Sequence, residues 1–249
     1  MRRLGLLVAA IGLLLAGRAE AALSVGAVLS CSNSGSTTCT TPSATTSGSL
    51  LIAQTGYWLA GGAFTSITDS KSNTWTNVLT TTGANEVLRA DAATTAASGA
   101  SHTFTLTTAS GFYGTLSVLE VRGATAAPGD QTATGLDSVG ATTHTTAATP
   151  TTSQANEILV GMGVSTTITT FTQTGSGWTE ATNVPSTVSD TGGVAGYRIV
   201  AATGAYVYTY TTSAASTTVQ QTTTWKEAAV AAGVRQQCVG CGVDRKGLE

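Results

Sequence analysis

His102-Thr103-Phe104-Thr105-Leu106-Thr107-Thr108 alternates ring or aliphatic side chains with threonine, and Tyr206-Val207-Tyr208-Thr209-Tyr210-Thr211-Thr212 does the same further along the chain. Successive side chains of an extended strand leave on opposite faces. Phe104 and Leu106 are therefore expected to meet a core and Thr103, Thr105 and Thr107 to meet solvent, with Tyr206, Tyr208 and Tyr210 on the matching core face of the second stretch. Working outward from these two stretches, the same landmarks recur in the same order. Ser24-Val25-Gly26-Ala27 is echoed by Ser138-Val139-Gly140-Ala141, and Thr41-Pro42-Ser43 by Thr149-Pro150-Thr151. Leu50-Leu51-Ile52-Ala53 is echoed by Ile158-Leu159-Val160-Gly161, and Asn73-Thr74-Trp75-Thr76 by Ser176-Gly177-Trp178-Thr179. The chain reads as two copies of one strand programme, residues 24–124 and 138–228.

Helical spacing of apolar residues is nearly absent beyond the first residues, because Thr, Gly and Ser interrupt each candidate. Threonine is roughly one residue in five, a β-branched and polar choice that favours extended backbone while keeping a face wet. The expected fold class is all-β, an antiparallel β-sandwich of jelly-roll or Ig-like type over residues 22–228, with both repeats contributing strands. Thr125 to Asp137, which contains Pro128-Gly129-Asp130, reads as a turn-rich crossover between the copies.

Arg2 and Arg3, the apolar run from Leu4 to Ala16 and the small residues of Ala19-Glu20-Ala21 have the pattern of a secretory signal over residues 1–21. The apolar run is short of the roughly 20 residues that span a bilayer, so no membrane insertion is expected after cleavage. Removing the leader leaves 8 basic and 12 acidic residues, a formal charge of −4. With no basic cluster in the strand region, nucleic acid is not an expected partner. Residues 229–249, with Cys238-Val239-Gly240-Cys241, read as a loosely ordered tail.

Cys31 and Cys39 bracket a stretch that is shorter and free of cysteine in the second copy, which points to an inserted loop closed by a disulfide in an oxidising compartment. His102 and His144 carry no motif and are read as solvent-facing. Glu86, Asp91, Glu120, Glu157, Glu180, Asp190 and Glu227 are scattered singly and are read as solvated rather than as a glycosidase pair. No Gly-x-Ser-x-Gly elbow is present. Asp69-Ser70-Lys71-Ser72-Asn73 has turn chemistry, and neither a metal nor a cofactor is implied. Trp75, Trp178 and Trp225 are read as core plugs. Tyr57 and Trp58, Gly-flanked and without counterpart in the second copy, are the candidate ligand-binding pair, since exposed rings stack on sugar faces.

Gly48-Ser49-Leu50-Leu51-Ile52-Ala53, Asp69-Ser70-Lys71-Ser72-Asn73-Thr74-Trp75 and Leu116-Ser117-Val118-Leu119-Glu120-Val121-Arg122-Gly123 together resemble the uncharacterised secreted β-sandwich repeat modules of environmental bacteria and their phages. That resemblance implies an Ig-like or jelly-roll sandwich at a cell surface or on a virion, with no catalytic residues to carry over. The functional expectation is a secreted or surface-exposed, non-enzymatic binding or adhesion module for a glycan or surface protein. The alternatives are a structural shell, fibre or virion subunit, and a secreted hydrolase.

Overall fold

β-branched and aromatic runs broken by Gly, Asn and Ser produce strands and almost nothing else. The first half of the chain forms β1 (Ser24–Ser34), β2 (Thr37–Thr40), β3 (Leu50–Trp58), β4 (Phe64–Asp69), β5 (Thr76–Thr82), β6 (Glu86–Thr94), β7 (Thr103–Thr108) and β8 (Tyr113–Arg122). The second forms β9 (Thr132–Thr145), β10 (Glu157–Ser165), β11 (Phe171–Gln173), β12 (Thr179–Val184), β13 (Gly192–Val200) and β14 (Thr209–Lys226). This computed structural model describes residues 22–229 apart from 35–36, 62–63, 95–96, 109–112, 126–128 and 187–190. The leader, the tail with Cys238 and Cys241, and Asp190 lie outside the described residues.

All the strand pairings are antiparallel. A five-stranded sheet runs β1-β8-β3-β6-β5, and a three-stranded sheet runs β2-β7-β4. The remaining strands form one sheet, β11-β14-β10-β13-β12, with β9 also on β14. β14 serves it twice: Val219 to Lys226 pairs with β10, while Tyr210 to Thr212 pairs with β11 and Thr209 to Thr211 with the end of β9. The order β9-β14-β10-β13-β12 thus follows the order β1-β8-β3-β6-β5 strand for strand.

The apolar packing has three layers. Leu51, Ala53, Tyr57, Val87, Leu116 and Val118 of the five-stranded sheet meet Ile67, Phe104 and Leu106 of the three-stranded one. The opposite face of the same sheet, with Leu50, Ile52, Leu119 and Val121, packs on Ile158, Val160 and Trp225 of the second half. Leu88 continues that layer against Met162, Val164, Ala195 and Val219. Phe171, Val194, Tyr208 and Tyr210 fill the last layer, with Trp178 against them. β3 and β10 are therefore covered on both sides, which is why Leu50-Leu51-Ile52-Ala53 and Ile158-Leu159-Val160 are unbroken apolar runs rather than alternating ones.

The alternation in β7 is as expected: Phe104 and Leu106 are fully buried and Thr103, Thr105 and Thr107 are half-buried. Tyr208 and Tyr210 are buried as well, but Tyr206 is half-exposed, its hydroxyl donating to the Ala202 carbonyl at 2.6 Å. Room for the two larger rings comes from β10, where a Cβ on Gly161 would lie 2.4 Å from the Tyr208 ring and one on Gly163 2.1 Å from that of Tyr210. Trp75 stands edge-on to Phe104 at 6.0 Å, and Trp178 edge-on to Tyr208 at 4.8 Å. Trp225 is fully buried, whereas Trp75 and Trp178 are half-buried at the margins of their clusters.

Two expectations are corrected here. The crossover ends early, because β9 begins at Thr132 and pairs with β14 through residues assigned to the turn. The threonines of β14 do not form a wet face: Thr218, Thr222, Thr223 and Thr224 are buried, because this strand lies inside its sheet and is covered on both faces. Their hydroxyls are used locally, as where Thr223 accepts the Trp225 indole N–H at 3.1 Å. The Cys31–Cys39 disulfide ties β1 to β2 with Cα atoms 6.2 Å apart.

Candidate functional site

The titratable side chains are mostly not on the surface. His102 is fully buried beside Phe104, with its Nε2 donating to Asp69 Oδ1 at 3.0 Å and its Nδ1 2.9 Å from the Thr45 hydroxyl. Asp69 gathers the Lys71 and Asn73 backbone N–H groups and the Trp75 indole N–H at 2.8 Å. Burial alone would raise the Asp69 pKa, but these donors and His102 outweigh it and lower it. The Asp-Ser-x-Ser-Asn-Thr-Trp run is thus a turn wound around its own carboxylate. His144 is also fully buried, stacked on Tyr210, with Nδ1 2.8 Å from Asp137 Oδ2 and Nε2 2.9 Å from Thr212 Oγ1. The solvent-facing reading of both histidines is therefore corrected: polar partners inside the fold make burial affordable.

The scattered acids need the same correction. Glu120 is fully buried and accepts from the Ala27 and Thr46 backbone N–H groups, the Ser49 hydroxyl and Arg122. Burial pushes its pKa up, and the Arg122 guanidinium with the Ala27, Ser49 and Thr46 donors overcomes that, holding it at about 2. The bulge between Val25 and Val28, with Gly26 lying directly over Glu120, makes room for this clamp on β1. Asp130 does comparable work in the second half, taking Ser153 N–H and hydroxyl donors and pairing with Lys226 at 2.9 Å. Glu157, buried beside Asp130, has a raised pKa, first from burial and then from that carboxylate neighbour. Asp91 is buried against Arg89, Glu227 is half-buried, and only Glu180 of the described set is exposed.

Glu86 is different because it borders a cavity. A cleft of about 110 Å³ opens where the β5–β6 turn meets β9 and β14, lined by residues that include Gly83, Ala84, Glu86, Leu136, Asp137 and Thr217. Its walls come from both halves of the chain. Glu86 is 1 % exposed, and its Oε1 accepts the Thr166 hydroxyl at 2.8 Å and the Thr217 hydroxyl at 2.9 Å. Asp137 is held through Oδ2 by His144, Thr218 and Gln220.

No protein-family model, curated protein or solved structure matches this chain.

The candidate pair of aromatics is split by the pleat. Tyr57 turns into the core under the three-stranded sheet, 8 % exposed, and its phenol pKa is raised chiefly by burial. Trp58 turns the other way and is 37 % exposed. It is the register partner of Glu86 across β3 and β6, so the two side chains leave the sheet on one face with Cβ atoms about 5 Å apart. Leu59 follows in a 3-10 turn, 45 % exposed, with its N–H on the Asn85 carbonyl of the β5–β6 turn. Sequence reasoning reached Trp58 from its exposed-ring chemistry and missed Asp137. Strand pairing between distant segments brings Asp137 to the cleft, and no local motif announces it.

Proposed function

We propose that this chain is a secreted, surface-exposed, non-enzymatic binding module that holds carbohydrate at the corner where its two halves meet. The observation that carries the reading is Trp58: a large ring, 37 % exposed, that leaves the sheet on the same face as its register partner Glu86, whose side chain borders a solvent-open cleft lined also by the exposed Leu136. Rings at such positions stack on the C–H faces of sugars while neighbouring oxygens take the hydroxyls. A non-enzymatic role is supported by the Thr45-His102-Asp69 array, whose hydroxyl is buried and accepts the Gly99 N–H, a place for a structural clamp rather than a nucleophile. Export is supported by the Cys31–Cys39 disulfide together with the leader pattern. Descent of both halves from one repeated module is supported by their common strand order and by the Trp75–Phe104 and Trp178–Tyr208 edge contacts.

A structural shell or fibre subunit is the second reading, favoured by β9. This strand has fourteen residues, most of them exposed, and among the described residues it pairs only with β14. A glycan array run with the wild-type chain and Trp58→Ala, beside a sizing column, tests both. Glycan binding that falls about tenfold or more in the variant at an unchanged melting temperature supports the first reading. A chain that binds no glycan and elutes as a large assembly moves the conclusion to the second.

A further inference from the structure

We propose that the corner cleft selects a neutral or amino sugar and rejects acidic ones, an inference that rests on the carbohydrate reading above. The selectivity comes from how its two carboxylates are held. Each spends one oxygen on the protein: Glu86 Oε1 on Thr166 and Thr217, and Asp137 Oδ2 on His144, Thr218 and Gln220. The other oxygen of each, Glu86 Oε2 and Asp137 Oδ1, accepts no hydrogen bond from any described residue. Glu86 is almost wholly buried, and Oε2 lies beside Gly83, in the cleft wall. An ionised carboxylate accepts hydrogen bonds and donates none. The two free oxygens therefore suit hydroxyl or ammonium donors of a ring edge, with Leu136 in the wall to meet its C–H surface.

A further carboxylate or a sulfate entering the same space meets like charge on both sides. The cleft lining contains Glu86 and Asp137 but neither lysine nor arginine. The anchoring donors are already committed to Oε1 and Oδ2. They fix the rotamers of the two acids, so neither swings aside to admit an anion without breaking two or three hydrogen bonds.

The test is an array of neutral oligosaccharides, chitosan oligomers, and uronate and sulfated oligomers, probed with the wild-type chain, Asp137→Asn and Ala84→Arg. Ala84 is an exposed turn residue at the cleft, so Ala84→Arg fills the space and neutralises it with little demand on the fold. Melting curves accompany each protein. Binding confined to neutral or amino sugars, weakened at least about tenfold by both substitutions, is the expected result. Wild-type binding of uronate or sulfated oligomers overturns the selectivity and leaves the carbohydrate reading in place. Neutral-sugar binding that both folded variants retain in full overturns the cleft as the site. A wild-type chain that binds no glycan of any class removes the carbohydrate reading, and this inference with it.

Discussion

Replacing Glu120 by Gln removes one negative charge from the point where β1, the segment before β3 and β8 converge. Its pKa of about 2 in the fold stands against an ordinary 4.5, so its ionised form is favoured in the folded state by about 3 kcal/mol at pH 7. Glu120 is fully buried while its partner Arg122 is 40 % exposed, so solvent screens part of the arginine's share. Because the folded pKa is depressed, the stabilisation is present above the unfolded pKa and disappears as pH falls through the folded one. At pH 3 the same linkage leaves about half of that. Glu120→Gln is therefore expected to be less stable than wild type by about 3 kcal/mol at pH 7, with the gap narrowing to about half by pH 3. Urea unfolding of both proteins at the two pH values, with matched m-values, measures it. A gap of equal size at both values would mean that lost packing, not lost charge, is responsible, and a gap under about 1 kcal/mol at pH 7 would refute the clamp.

Two further outcomes follow from other buried positions. Gly163→Ala places a methyl group 2.1 Å from the Tyr210 ring and should lower stability by about 1 to 3 kcal/mol in thermal or urea unfolding; a neutral result would show that the ring moves freely. Glu157 has a raised pKa, so its own contribution to wild-type stability is fullest below the ordinary glutamate range and is lost as pH rises through the folded value; Glu157→Gln escapes that loss and should melt higher than wild type at pH 7, with the difference closing toward pH 4. A variant that melts lower at pH 7 would count against the strained carboxyl.

The strands were legible because they depend on local alternation. His102 to Thr108 assigned the faces of β7 correctly from seven residues, and the apolar run Leu50 to Ala53 marked a central strand. The short strands β2, β4 and β11 were not read, since three to six residues carry little period of their own and long-range pairing makes them. Burial of polar groups was the larger blind spot. His144 and Asp137 lie seven positions apart on one strand, but what buries the histidine is Tyr210 and Thr212 on β14, far away in sequence. Thr222 to Thr224 look like solvent-facing residues by composition and are inside because their strand is inside. Of the candidate pair, ring chemistry marked both Tyr57 and Trp58, and the pleat separated them.

The apolar contact between the five-stranded sheet and β10, β13 and β14 joins two halves through a crossover of few residues, held by a bridge from Ala124 to Glu227 and by the Thr125 N–H on the Lys226 carbonyl. Each half offers the other a sheet face that water would otherwise wet, and the short tether keeps that face at a high effective concentration. Either half alone would leave its side of that contact exposed to water as a continuous apolar face.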